Sequence, residues 1–126
     1  MELLQHKVHS TISKRNNMKV NEYQKKALRT LNPDLDKKDI LINGVMGLCG
    51  ESGEAIDLVK KHLAQGHELD KEKIIKELGD VAWYLAEIAY VLDVDLETVL
   101  TKNIEKLKNR YPEGFSSLNS INRKDK

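Results

Sequence analysis

Apolar residues recur at every third or fourth position in four successive segments of the chain. This spacing places them on one face of an α-helix, and no segment has the strict apolar–polar alternation of a half-buried strand. The segments are separated by residues that interrupt helices: Pro33, Gly66, the Asp93–Asp95 stretch and Pro112. The pattern predicts an all-α fold.

The predicted helices cover residues 22–31, 40–65, 71–92 and 96–110. Each follows a residue type that favours helix N-termini, namely Asn21, Asp39, Asp70 and Asp95. Residues 18–115 then form one domain, preceded by an N-terminal extension over 1–17 and followed by a polar, unstructured tail over 116–126.

The composition bears on the partners of the protein, on its disulfide content and on its cellular setting. Lys and Arg total 21 against 20 Asp and Glu, so no nucleic-acid polymer is expected as a partner. The lone cysteine, Cys49, excludes an internal disulfide and favours a reducing, cytoplasmic setting. No apolar run is long enough to span a membrane, and residues 1–17 lack the apolar core of a signal peptide.

Two acidic pairs are the main functional clue. Glu51 and Glu54 lie three residues apart in the second helix, and Glu77 and Asp80 do so in the third. Residues three apart share a helix face, so two packed helices would bring four carboxylates together. Such pairs are also common on solvated helices, but both border the apolar stripe of their helix. The pattern therefore favours a site for Mg²⁺, which prefers oxygen ligands.

Glycines recur at every third position near the first acidic pair, at Gly44, Gly47, Gly50 and Gly53. Each weakens a helix interior by about 1 kcal/mol relative to alanine. The run predicts either a kink or close approach by another backbone or a ligand.

A basic and polar ridge on the fourth helix consists of Asn103, Lys106 and Arg110. It could bind phosphate oxygens, although a solvated helix face is the alternative interpretation. Lys60 and Lys61 are interpreted as solvated. The chain has no GxxxxGK[ST] loop, no GxGxxG, no Glu-x-x-His pair and no HExxH, which argues against P-loop, dinucleotide, di-iron and zinc-protease sites.

Three stretches carry a family resemblance: GLCGESGEAIDLVKK, KELGDVAWYLAEIAYVLDVDLETVL and KNIEKLKNRYPEGF. They resemble the MazG-like nucleoside triphosphate pyrophosphohydrolases of the all-α pyrophosphohydrolase superfamily, whose acidic pattern is EExxE followed by ExxD. The matching acids are Glu51, Glu54, Glu77 and Asp80. Gly50 stands where the first Glu of the doublet is often found, so that contact is absent.

The resemblance implies an oligomeric, four-helix bundle-like fold that hydrolyses a nucleoside triphosphate between its α and β phosphates. It implies Mg²⁺, with Mn²⁺ as an alternative, held by Glu51, Glu54, Glu77 and Asp80. Glu51 and Glu54 are the expected catalytic residues, with Glu54 favoured as the base. The expected phosphate-binding residues are Asn103, Lys106, Arg110 and Tyr111. A homodimer or homotetramer is expected.

Other functions remain open at this point. One alternative within the superfamily is hydrolysis of phosphoribosyl-ATP, and another is a dCTP- or dUTP-selective enzyme. From a different class, the chain could be a catalytically silent helical bundle that binds a nucleotide or a protein. The glycine at position 50 is the sequence feature that favours this last alternative.

Overall fold

The computed structural model describes residues 17–123, which contain five α-helices and no strand. The helices are α1 (Val20–Ala27), α2 (Lys37–Gln65), α3 (Lys71–Val91), α4 (Leu96–Arg110) and α5 (Ser117–Ile121). A 3₁₀ turn, Leu28–Thr30, continues α1. The predicted all-α fold is confirmed for this part of the chain. The predicted N-terminal extension lies outside the described residues apart from residue 17.

Local capping explains where α2, α3 and α4 begin. The Asp70 and Asp95 carboxylates accept hydrogen bonds from the backbone N–H groups of Lys73 and Thr98, at 3.0 and 2.7 Å, so both predicted caps are confirmed. The predicted cap of α2 is wrong. Asp36 caps that helix by accepting from the Asp39 N–H at 2.8 Å, and Asp39 lies in the first turn.

The predicted cap of α1 is also wrong, because Asn21 lies inside the helix and reaches to α4 instead. Its amide donates to the Glu97 carboxylate and accepts from the Glu97 N–H, both at 3.0 Å. Gln24, which is buried, accepts from the Leu96 N–H at 2.8 Å and donates to the Ala86 carbonyl at 3.1 Å. These two amides join α1 to the N-terminal turn of α4 and to α3.

Helices α2 and α3 form a hairpin with the most extensive contact in the fold, and glycines allow it to close. A Cβ added at Gly44 would lie 2.7 Å from Cγ1 of Ile88, and one added at Gly47 would overlap the Tyr84 ring. A close approach therefore occurs at these two positions, but the approaching groups are the Ile88 and Tyr84 side chains and not the backbone or ligand that was predicted. A Cβ at Gly50 or Gly53 would meet no described atom within 4 Å.

The buried apolar core is small. Among residues 17–123 the buried apolar side chains are Ile40, Ala86, Ala89 and Leu96. Many larger ones stay exposed, including Leu63 at 77% and Phe115 at 79%. The outer faces of the hairpin and most of α4 are therefore not covered by other residues between 17 and 123.

The tail contains a helix that the sequence did not reveal. Ser116 caps α5 by accepting from the Asn119 N–H at 3.2 Å, so residues 117–121 are helical and the prediction of an unstructured tail is wrong for them. Before it, the Tyr111 and Phe115 rings pack with centroids 5.7 Å apart. None of the helices in residues 17–123 is long and apolar enough to cross a membrane.

Candidate active site

Three of the four predicted acids meet across the α2–α3 hairpin. Glu51 of α2 and Glu77 and Asp80 of α3 offer oxygens that all lie within 4.8 Å of one another. Glu51 follows Gly47 by one helical turn, and Asp80 precedes Tyr84 by one turn. Because the two helices run in opposite directions, the close contact of Gly47 with Tyr84 holds the carboxylates opposite each other.

The carboxylates repel one another. The pKa of Glu51 is raised by partial burial, by the negative charges of Glu54, Asp80 and Glu77, and by a hydrogen bond to Glu77. The pKa of Tyr84 is raised by burial and then by the charges of Glu51, Glu87 and Asp80. Excess negative charge is therefore concentrated at this point of the hairpin, and a cation would relieve it.

The donor set suits a hard divalent cation. Its ligand atoms are carboxylate oxygens, with no histidine or cysteine among them. Mg²⁺ and Mn²⁺ prefer such oxygens, whereas zinc and copper sites commonly include nitrogen or sulfur. The residues present therefore fit the predicted ion.

Glu54 lies beside the three carboxylates and is not one of the closely spaced group. It is exposed and lines an adjoining recess of about 470 Å³. The residues around this recess are Gly50, Gly53, Glu54, Asp57, Leu58, Lys61 and Glu77. We call it the α2 recess. Glu77 belongs both to the carboxylate group and to this recess, so the two are contiguous.

The predicted phosphate-binding residues of α4 occupy a different part of the chain. Lys106 and Arg110 line a recess of about 740 Å³ that is shared with Asn119 and Asn122, and none of the four acids lines it. The Arg110 guanidinium lies 5.9 Å from the centroid of the Tyr111 ring, and Asn103 is exposed. Lys106 and Arg110 thus line a different recess of the described chain from the one that Glu54 and Glu77 line.

The sequence interpretation missed an ion-pair group on α2. Asp57 pairs with the ammonium groups of both Lys60 and Lys61 at 2.6 Å, and these contacts lower its pKa to about 2. The signal was present, because lysines three and four residues after an aspartate lie on its helix face. Lys61 also lines the α2 recess, and its side chain remains 41% exposed.

Comparison with known proteins agrees with the motifs. Residues 43–115 match the model of the MazG nucleotide pyrophosphohydrolase domain. The chain is 38% identical over 94 residues to the Gene 37 protein of Mycobacterium phage L5, covering 71% of this chain and 82% of that protein. No solved structure is significantly similar to the chain. The match spans more than half of the chain and includes all four acids, so the protein belongs to the MazG nucleotide pyrophosphohydrolase domain family.

Proposed function

We propose that the protein is a Mg²⁺-dependent nucleotide pyrophosphohydrolase that cleaves a nucleoside triphosphate between its α and β phosphates. The products are a nucleoside monophosphate and pyrophosphate. The observation that carries this proposal is the meeting of Glu51, Glu77 and Asp80 within 4.8 Å, in a chain of the MazG family. We assign residues 18–115 to the catalytic domain. Helix α1 is included because Gln24 forms hydrogen bonds to α3 and α4.

The reaction adds water across a phosphoanhydride. The water oxygen bonds to the α-phosphorus, the bond from that phosphorus to the α,β-bridging oxygen breaks, and the electron pair leaves on that oxygen with pyrophosphate. Glu51, Glu77 and Asp80 would hold the cation. When bound, the cation neutralises phosphate charge and lowers the pKa of water.

Glu54 accepts the proton of the attacking water. It lies one turn from Glu51, at the edge of the α2 recess, and outside the closely spaced group of three carboxylates. Its oxygens would therefore coordinate the cation less directly and could accept a proton, which is the role of a general base.

A homodimer or homotetramer completes the site. One chain exposes a recess of about 610 Å³ whose lining is almost wholly apolar, with Ile56 exposed at 67%. Ile56, Leu63 and Leu78 are large apolar side chains of this recess that are exposed, and grouped exposed apolar side chains are typical of interaction sites. The α4 residues Lys106 and Arg110 line a recess that none of the four acids lines, and in the assembly they approach the phosphates of the substrate from the neighbouring copy.

The test is pyrophosphate release with Mg²⁺ across ribo-, deoxyribo- and modified nucleoside triphosphates, with phosphoribosyl-ATP included. We expect release from at least one substrate and its loss in Glu77→Gln. Glu72→Gln is the matched control, because Glu72 is an exposed acid in the first turn of the same helix. Activity that survives in Glu77→Gln would refute the site. Nucleotide binding without any release by the folded wild type would instead support a catalytically silent binding protein.

A further inference from the structure

We infer that Lys61, held in place by Asp57, binds the phosphate chain of the substrate beside the carboxylates. This inference rests on the proposed function and adds a binding residue that the sequence interpretation had treated as solvated. Lys61 lines the α2 recess together with Glu54 and Glu77.

The helical geometry directs Lys61 towards the carboxylates. Glu54 and Lys61 are seven residues apart, which places them on one face of α2 and about 10 Å apart along its axis. Side chains on a helix lean towards its N-terminus. The 2.6 Å contact from the Lys61 ammonium to Asp57, one turn earlier, has this direction. The ammonium therefore lies on the Glu54 side of its own Cα.

The α2 recess is rich in negative charge, so phosphate binding there requires a positively charged side chain. Its lining includes three acids, Glu54, Asp57 and Glu77, which would repel phosphate oxygens. Among the residues that line it, Lys61 is the one cation. A lysine ammonium is a compact charge suited to phosphate oxygens. Lys61 thus supplies attraction for the part of the phosphate chain that extends past the metal ligands.

The recess is also open to a ligand. Gly50 and Gly53 lie on its α2 wall, and a Cβ at either would meet no described atom within 4 Å. The absence of side chains at these positions lets a phosphate approach the helix surface beside Glu54, on the side towards which Lys61 leans, without displacing a protein group.

Lys60 provides a control within the same ion-pair group. It contacts Asp57 at the same 2.6 Å, but it lines the apolar recess on the neighbouring face of α2 and not the α2 recess. Loss of either lysine removes one partner of Asp57. Only the loss of Lys61 removes positive charge from the recess that Glu54 and Glu77 line.

The experiment compares Lys61→Gln with Lys60→Gln. Calorimetry with pyrophosphate and Mg²⁺ gives the affinity for the phosphate chain, and steady-state kinetics give KM for the best triphosphate. We expect Lys61→Gln to weaken pyrophosphate binding and raise KM about tenfold, the effect of losing one charge-assisted hydrogen bond. Lys60→Gln should stay within about twofold of the wild type, and Lys61→Arg should recover most of the loss.

Equal effects in the two glutamine variants, or none in Lys61→Gln, would overturn the inference while leaving the proposed function intact. If the wild type hydrolyses no nucleotide, the proposed function fails, and calorimetry still decides the role of Lys61. Weaker pyrophosphate binding in Lys61→Gln than in Lys60→Gln would support the inference. Equal binding in the two variants, or no binding by the wild type, would overturn it.

Discussion

The side-chain amide of Asn43 donates to both carboxylate oxygens of Glu87, at 3.0 and 3.2 Å, and Glu87 is completely buried. The pair joins α2 to α3 one turn from the contact between Gly47 and Tyr84. Burial of a carboxylate is costly unless its oxygens are hydrogen-bonded. Asn43 therefore stabilises the buried Glu87 carboxylate, although Asn43 itself is exposed.

Asn43→Ala should destabilise the protein by about 1–3 kcal/mol, because it leaves a buried carboxylate without these hydrogen bonds. Urea unfolding followed by circular dichroism measures the change. Asn109→Ala, which removes an exposed asparagine of α4, is the control and should change the unfolding free energy by less than about 0.5 kcal/mol. Equal destabilisation by the two variants would contradict the role of Asn43.

Gly47→Ala should destabilise the hairpin by about 1–3 kcal/mol, because the added methyl group overlaps the Tyr84 ring and forces the helices apart. Gly50→Ala meets no described atom and should be neutral or stabilising by up to about 1 kcal/mol, because alanine favours the helix. Thermal unfolding of both variants gives the comparison. A Gly47→Ala protein as stable as the wild type would show that the hairpin can open at no cost.

Stability should depend on pH through Glu51. Its folded-state pKa is raised above the ordinary 4.5, so its contribution to stability is fully present below that value and is lost as pH rises through the folded-state pKa. At neutral pH without divalent cations, Glu51→Gln should therefore melt at a higher temperature than the wild type. With Mg²⁺ the order should reverse, because the variant loses a cation ligand. Calorimetric melting at several pH values tests both parts.

Glu54→Gln should lower kcat by about 10²–10⁴-fold, the usual contribution of a general base. Mg²⁺ affinity should change little, because Glu54 lies outside the closely spaced carboxylates. Glu51→Gln should reduce Mg²⁺ affinity as well as turnover. Isothermal titration with Mg²⁺ beside single-turnover kinetics separates the two effects. Loss of Mg²⁺ binding in Glu54→Gln would make Glu54 a ligand instead.

Ile56→Lys should weaken self-association, because it places a charge in the apolar recess of α2 and α3. Ile75→Lys is the matched control. Ile75 is similarly exposed, at 59% against 67% for Ile56, but it does not line that recess. Sedimentation velocity over a range of concentrations measures the change. Equal shifts towards monomer in both variants would argue against this face as the interface.

Local signals made much of the fold predictable. Asp70 and Asp95 cap their helices through residues three positions later, which the sequence reveals directly. The carboxylates of Glu51 and Asp80 could be expected to lie close together, because the short link between α2 and α3 makes these helices antiparallel neighbours.

Features that depend on tertiary contacts were not predictable. Asn21 is of a residue type that often caps helices. Its side-chain amide instead forms hydrogen bonds with the backbone N–H and the carboxylate of Glu97, 76 residues further along the chain. The recess that Lys106 lines includes Asn119 and Asn122 of the C-terminal segment, a grouping that helical periodicity does not encode. The recess that Lys61 shares with Glu77 of another helix was likewise not visible in the sequence.

The contact between Gly47 and Tyr84 also has a consequence for ion selectivity. It lies one turn from Glu51 on α2 and one turn from Asp80 on α3, so it fixes the separation of the two backbones that carry the ligands. Mg²⁺ requires shorter and more regular oxygen distances than Ca²⁺. A side chain at position 47 would widen the hairpin and shift preference towards the larger ion, although residue 47 offers no ligand. If the three carboxylates bind a cation as proposed, a residue without a side chain would thus help to set the size of the ion.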